Sequence, residues 1–146
     1  SSIQEQGIEV TYTFHISEFT SKIPVYLVVE LIGNLLKNAV EAVKTQQVEK
    51  QIHLSCTENE NEFCLGVRNR SEKIPLDEMG RFFEKGYSSK GSGRGVGLYN
   101  VKEICEKYGV DIVCDNTEVD DKNWFLIELH IKKSDEMNLR NKSESK

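Results

Sequence analysis

The chain lacks close cysteine pairs, a long apolar run and any excess of positive charge. Its four cysteines, Cys56, Cys64, Cys105 and Cys114, are spaced C-x7-C, C-x40-C and C-x8-C. None forms the C-x2-C pair of a zinc or dithiol redox site, so they read as reduced core thiols. No apolar run reaches the roughly 18 residues of a membrane span, and no basic-then-apolar leader opens the sequence. The segment is therefore expected in a reducing cytoplasm. With 24 Asp plus Glu against 19 Lys plus Arg, a formal net charge of -5 and a pI near 5.3, it has no general attraction for nucleic acid or anionic membrane. Any phosphate chemistry must come from a local site. What is present, 146 residues that are 38% hydrophobic and 29% charged, suits one globular domain with one core.

The pattern along the chain is that of an α/β fold without internal repeats. Val10, Tyr12, Phe14 and Ile16 alternate with Thr11, Thr13 and His15, which predicts a half-buried strand between Gly7 and Ser17. Pro24 then precedes an apolar stretch, Val25 to Val43, free of further proline and too long for a strand, which predicts a helix of about five turns. Gln51 to Thr57 and Glu62 to Arg68 alternate around a polar link and predict a hairpin. Pro75 to Phe83 suggests a short helix, and Glu84 to Gly95 a loop rich in Gly, Ser, Lys and Arg. Val96 to Tyr108 has apolar residues at helical spacing and meets a capping residue at Gly109. Val110 to Asp115 and Trp124 to Lys132 complete the strands. His15, His53 and His130 fall opposite the main apolar phase, which predicts a sheet with helices on one face and water on the other. From Ser134 to Lys146 the charges mix without periodicity, and that tail is expected to be disordered. Residues 1–133 are read as the domain, and the whole as a piece of a longer protein.

Two segments carry candidate chemistry. Glu30, Asn34, Asn38 and Glu41 lie at spacings of four, four and three, along one face of the first helix. Asparagine is a poor helix former and costly to bury unpaired, so this stripe is either solvated or waiting for an oxygen-seeking partner such as Mg²⁺ with a nucleotide phosphate. The segment GSGRGVGLYNVKEI has glycines at 91, 93, 95 and 97 immediately before a helix, and with Gly86 it holds five of the chain's ten glycines. Backbone N–H groups in such a loop can approach phosphate oxygens, the helix offers its positive end, and Lys90 and Arg94 add charge. It is neither a Walker loop nor a dinucleotide fingerprint.

In combination these segments resemble the nucleotide-binding domain shared by DNA gyrase, the heat-shock chaperone and sensor histidine kinases. NLLKNAVEA from Asn34 to Ala42 is similar to the asparagine box, Phe82 and Phe83 to the phenylalanine box, and GRGVGLYNVKEI to the second glycine box. The order covers residues 7 to 132. Among sensor kinases the details look most like the peptide-pheromone type, with a lid segment Gly86-Tyr87-Ser88-Ser89-Lys90. The resemblance implies a two-layer α/β sandwich, the Bergerat ATP-binding fold, with a mixed, mostly antiparallel sheet and helices on one face. It implies that ATP and Mg²⁺ are bound by Asn34, Asn38, Asn69, Ile74, Phe82, Lys90, Gly91, Gly93, Arg94, Gly95, Val96, Gly97 and Leu98, with Asn38 on the metal.

The resemblance also implies that gyrase-type ATPases carry Glu where Asn34 stands, as the base that activates water. An amide cannot do that, which points to a kinase whose attacking group lies elsewhere. The usual adenine-reading Asp-x-Gly-x-Gly is Asn69-Arg70-Ser71-Glu72-Lys73 here, so the charge and both glycines are gone and weaker nucleotide binding is expected. Glu41 and Ala42 stand where many sensor kinases carry a basic and an aromatic residue, and of the third box only Phe125 remains. The three histidines sit singly in strands, so no phosphoacceptor is expected in this chain, and no catalytic side chain is assigned. The implied partners are the dimerising histidine helices of the same protein and a response regulator, in a homodimer anchored to a membrane upstream. A serine kinase acting on an anti-sigma partner, and a docking module with a degenerate pocket, are the rival readings.

Overall fold

The computed structural model describes residues 3–87 and 96–134, and the side chain of Val96 is outside that description. Five strands form one sheet: β1 (Glu9–Phe14), β2 (Gln51–Glu58), β3 (Glu62–Arg70), β4 (Asp111–Val119) and β5 (Lys122–Lys132), in the order β1-β2-β3-β5-β4. β1 runs parallel to β2 and every other pair is antiparallel. The helices are α1 (Val25–Thr45), the four-residue α2 (Leu76–Met79) and α3 (Val96–Tyr108), with a 3-10 turn at Gln4–Gln6 before β1. This is the expected mixed, mostly antiparallel sheet with its helices on one face.

Both prolines start helices. Pro24 and Pro75 are extended at the N-cap, and their carbonyls accept from Val28 and Met79 at 3.2 and 3.1 Å, so the N–H that proline lacks is not missed. α1 buries Val28, Leu31, Leu35, Ala39 and Val43 at helical spacing, packing on β2, β3 and α3. α3 buries Leu98, Val101 and Cys105 and stops at Gly109, whose φ of +67° is the left-handed value a helix end favours. Phe63, Leu65, Val67 and Asn69 of β3 and Phe125, Ile127, Leu129 and Ile131 of β5 face these helices. His53 and His130 are on the other face, as their phase predicts.

The structure differs from the sequence reading at four places. Tyr12 and Phe14, in the apolar phase of β1, are 76% and 65% exposed, because β1 is an edge strand that extends past the cover α1 gives β2 and β3. β4 runs to Val119 rather than Asp115, since Asp120 and Asp121 at φ 51° and 62° make a two-residue turn without glycine. Cys56 and Cys105 are buried thiols and Cys114 packs on the core, but Cys64 turns to the open face of the sheet. Ser134 is buried and its N–H donates to the Thr20 carbonyl at 2.9 Å, while residues 135–146 of the expected tail lie outside the described residues.

Candidate nucleotide site

The polar stripe of α1 divides along its length. Glu30 is exposed, whereas Asn34, Asn38 and Glu41 are half-buried. Asn34 faces the first turn of α3: a Cβ placed on Gly97 would lie 3.5 Å from Asn34 Oδ1, an ordinary contact distance that makes the amide and that turn direct neighbours. The Asn34 Nδ2 is buried and has no partner among the described residues. A buried donor left unmade costs about 1–3 kcal/mol, and an acceptor entering between α1 and the first turn of α3 would satisfy it. These features fit the phosphate end of a nucleotide, with the amide oxygen of Asn38, one turn further on, suited to a hard cation.

A second group gathers on the same face around Phe125. Asn116, Phe125, Asn69 and Ile52 form one row across β4, β5, β3 and β2. Asn69 is 2% exposed and its Nδ2 donates to the Arg70 carbonyl at 2.9 Å. Phe82 meets Phe125 edge-on at 5.4 Å and Tyr87 at 5.7 Å between centroids, so the expected phenylalanine box does contact the retained phenylalanine of the third box. Tyr87 in turn donates to Glu78 Oε1 at 3.4 Å. Ile74 is partly buried against the core, and Leu98 is buried in it. Lys90, Gly91, Gly93, Arg94 and Gly95 lie outside the described residues, and Val96 begins α3.

Sequence reasoning missed the amides that shape the segment after Asn69. The Asn116 side chain holds the Ile74 main chain at both N–H and C=O, at 3.0 and 2.9 Å. Asn123 Nδ2 donates to the Ser71 carbonyl at 3.0 Å, and Gln46 Oε1 accepts from the Glu72 N–H at 2.9 Å and the Ser71 hydroxyl at 3.2 Å. Ser71 is buried, and no residue of 70–74 takes a positive φ. The lost glycines therefore leave no backbone demand unmet, because side-chain amides fix a conformation that ordinary residues adopt. The available signal was Asn116 itself, a polar residue in the buried phase of β4 after Ile112 and Cys114.

A family model described as a GHKL domain matches residues 24–132. The chain is 38% identical over 81 residues to the sensor protein CitS of Bacillus subtilis, covering 56% of this chain and 15% of that protein. It is 30% identical over 119 residues to a probable C4-dicarboxylate sensor kinase of the same organism (76% of this chain, 22% of that protein). With the sensor histidine kinase DcuS of Escherichia coli it shares 32% over 93 residues, 58% of this chain and 16% of that protein. The chain thus spans less than a quarter of the length of these relatives. Among solved structures, the nucleotide-free catalytic domain of the histidine kinase ThkA matches with a TM-score of 0.72 at 22% identity, over 92% of this chain and 84% of that one. The mycobacterial sensor histidine kinase MprB matches at 0.68 and 18% identity, over 89% and 85%. Both likenesses are of fold.

Proposed function

The chain belongs to the GHKL domain family, and from that premise we propose that it is the ATP-binding catalytic domain of a sensor histidine kinase. The family implies ATP use, and the named relatives imply work alongside other domains of one kinase. The observation that carries the reading is Asn34, whose Nδ2 is buried without a partner among the described residues, beside Gly97 in the first turn of α3. A donor there serves a phosphate oxygen, and an amide in place of a carboxylate leaves no base to activate water. Phosphoryl transfer asks of the protein mainly position and charge neutralisation. Asn38 would hold Mg²⁺, which supplies the neutralising charge when bound, and Lys90, Arg94 and the glycines at 91, 93, 95 and 97 would hold the phosphates. Asn69, Ile74 and Phe82 would hold the base and fix its orientation.

The γ-phosphoryl would pass to a histidine on dimerising helices and then to a response regulator. Among the described residues no helix is long and apolar enough to cross a membrane, and the intact protein is proposed to be a membrane-anchored homodimer with this domain in the cytoplasm. Calorimetric titration with Mg²⁺ and a non-hydrolysable ATP analogue tests the premise: saturable binding is expected, and no heat at millimolar nucleotide overturns it. Mixing the domain with its helical partner and ATP should then yield acid-labile phosphate, whereas acid-stable phosphate on a partner serine would support the serine-kinase reading.

A further inference from the structure

The water-facing side of the sheet, opposite Asn34 and Asn69, carries a cluster that nucleotide binding does not use. Cys64 of β3 and His130 of β5 are cross-strand partners, and Glu62 is two residues before Cys64 on the same face. The Cys64 Sγ lies 3.4 Å from His130 Nδ1, and Glu62 Oε1 lies 2.9 Å from the same nitrogen. The other ring nitrogen, Nε2, is 2.7 Å from Glu128 Oε1. One sulfur, one imidazole nitrogen and one carboxylate oxygen all fall within 4.8 Å of one another, the only such group of three among the described residues.

We propose that Glu62, Cys64 and His130 form a binding site for a zinc-class dication, with Glu128 orienting the histidine from outside. A tetrahedral zinc with Zn–S near 2.3 Å and Zn–N near 2.0–2.1 Å sets sulfur and nitrogen about 3.5 Å apart and nitrogen and oxygen about 3.3 Å apart. The present separations differ from those by a few tenths of an ångström, within reach of small side-chain rotations. A carboxylate on the far nitrogen of a ligating imidazole is the usual outer support of such sites, because it fixes the tautomer that leaves the other nitrogen free. Thiolate and imidazole together select zinc-like ions over Mg²⁺ or Ca²⁺, so the site does not duplicate the metal of the nucleotide.

The scaffold is already ordered. β3 and β5 are central strands in fixed register, and Asn59 Oδ1 accepts from the Glu62 N–H at 2.9 Å, anchoring the start of β3. The three ligands are each half-buried, and a four-coordinate ion held by them would take its fourth ligand from water or a partner. Binding releases the Cys64 thiol proton to solvent, and the imidazole Nδ1 gives up any proton it shares with Glu62. Once bound, the ion would cross-link the two middle strands from the face the helices leave open.

Titration of the 146-residue chain with Co²⁺, under a non-thiol reductant, is the test. The expected result is a thiolate-to-cobalt charge-transfer band that saturates at one ion per chain and is displaced by Zn²⁺. Cys64→Ser should abolish that band, Cys114→Ser should leave it, and His130→Gln or Glu128→Gln should weaken binding about tenfold or more. Mapping of alkylated cysteines in the unsubstituted chain gives a readout that survives a misfolded variant: Zn²⁺ should protect Cys64 where Mg²⁺ does not. Absence of the band in the folded chain, its persistence in Cys64→Ser, or alkylation of Cys64 indifferent to Zn²⁺ would each overturn the assignment.

Discussion

Asn116 and Ile74 hold each other by two hydrogen bonds across 42 residues of sequence, the amide of one closing on the N–H and C=O of the other. Around this pair the segment after Asn69 keeps its shape without the glycines that the resemblance leads one to expect. Asn116→Leu leaves two part-buried main-chain groups unmade, so it should lower stability by about 1 kcal/mol or more and weaken nucleotide binding as well. Urea unfolding and nucleotide titration of the same variant check both, and an unaltered affinity would separate the clamp from the site.

Asn34 predicts effects of opposite sign. Its Nδ2 is buried without a partner among the described residues, so Asn34→Leu should leave stability unchanged or raise it, while nucleotide affinity falls. Asn38→Ala should reduce affinity about tenfold or more in Mg²⁺ and much less in EDTA. Thermal unfolding with and without nucleotide reads the first, calorimetry the second, and equal losses in Mg²⁺ and EDTA would remove Asn38 from the metal.

The two histidines of the open face should answer pH in opposite directions. Burial pulls the His130 pKa down, but the hydrogen bond to Glu62 and the charges of Glu128 and Glu62 outweigh it, so it ends above the ordinary value. Its contribution is present in full below about pH 6.5, the unfolded value, and is lost as pH rises through the raised folded value. His53, between the hydroxyls of Thr11 and Thr13, is held below its ordinary value by burial and by the Arg68 charge. Its contribution is present above about pH 6.5 and is lost as pH falls through the lowered folded value. In chelator-treated buffer, acidification should therefore cost His130→Gln more stability than the parent chain and His53→Gln less. Parallel profiles for all three proteins, by urea unfolding across pH 5 to 8, would contradict this.

Thiol chemistry should be silent in the core. Burial pushes Cys105 up to about 12, and burial with the Asp115 charge does the same for Cys114. With so little thiolate, alkylation of the metal-free chain at pH 8 should reach Cys64 well before either of them, and the ordering should vanish in urea. Early modification of Cys105 in the native chain, read by peptide mapping, would contradict the packing.

Apolar periodicity placed α1 and α3 nearly residue for residue, because each helix buries a continuous stripe: Val28 to Val43 in one, Leu98 to Cys105 in the other. What the pattern could not reveal depends on neighbours remote in the chain. Whether Tyr12 and Phe14 are covered is decided by where α1 lies, and the partners of Ser71 are 25 and 52 residues away in Gln46 and Asn123. The turn at Asp120 and Asp121 lacks the glycine that marks such turns, so the sequence pattern ends β4 early. Of the candidate site, Asn34 and Asn38 were visible as amides on an apolar helix, and Asn69 as a substitution in a familiar box. Glu62, Cys64 and His130 were invisible as a unit, because only the pairing of β3 with β5 makes them neighbours.

β3 presents Phe63, Leu65, Val67 and Asn69 to the helices and Glu62, Cys64, Arg68 and Arg70 to the opposite face of the sheet. Its alternation makes the strand a hinge of failure shared by two otherwise separate surfaces. A single-residue insertion near Cys64 would turn the downstream residues over, sending Arg68 toward the core and Asn69 into solvent, and would part Cys64 from His130 at the same stroke. Substitutions on one side, by contrast, leave the other side's spacing intact, so the nucleotide face and the Glu62–Cys64–His130 face are free to change independently only while the length of this strand stays fixed.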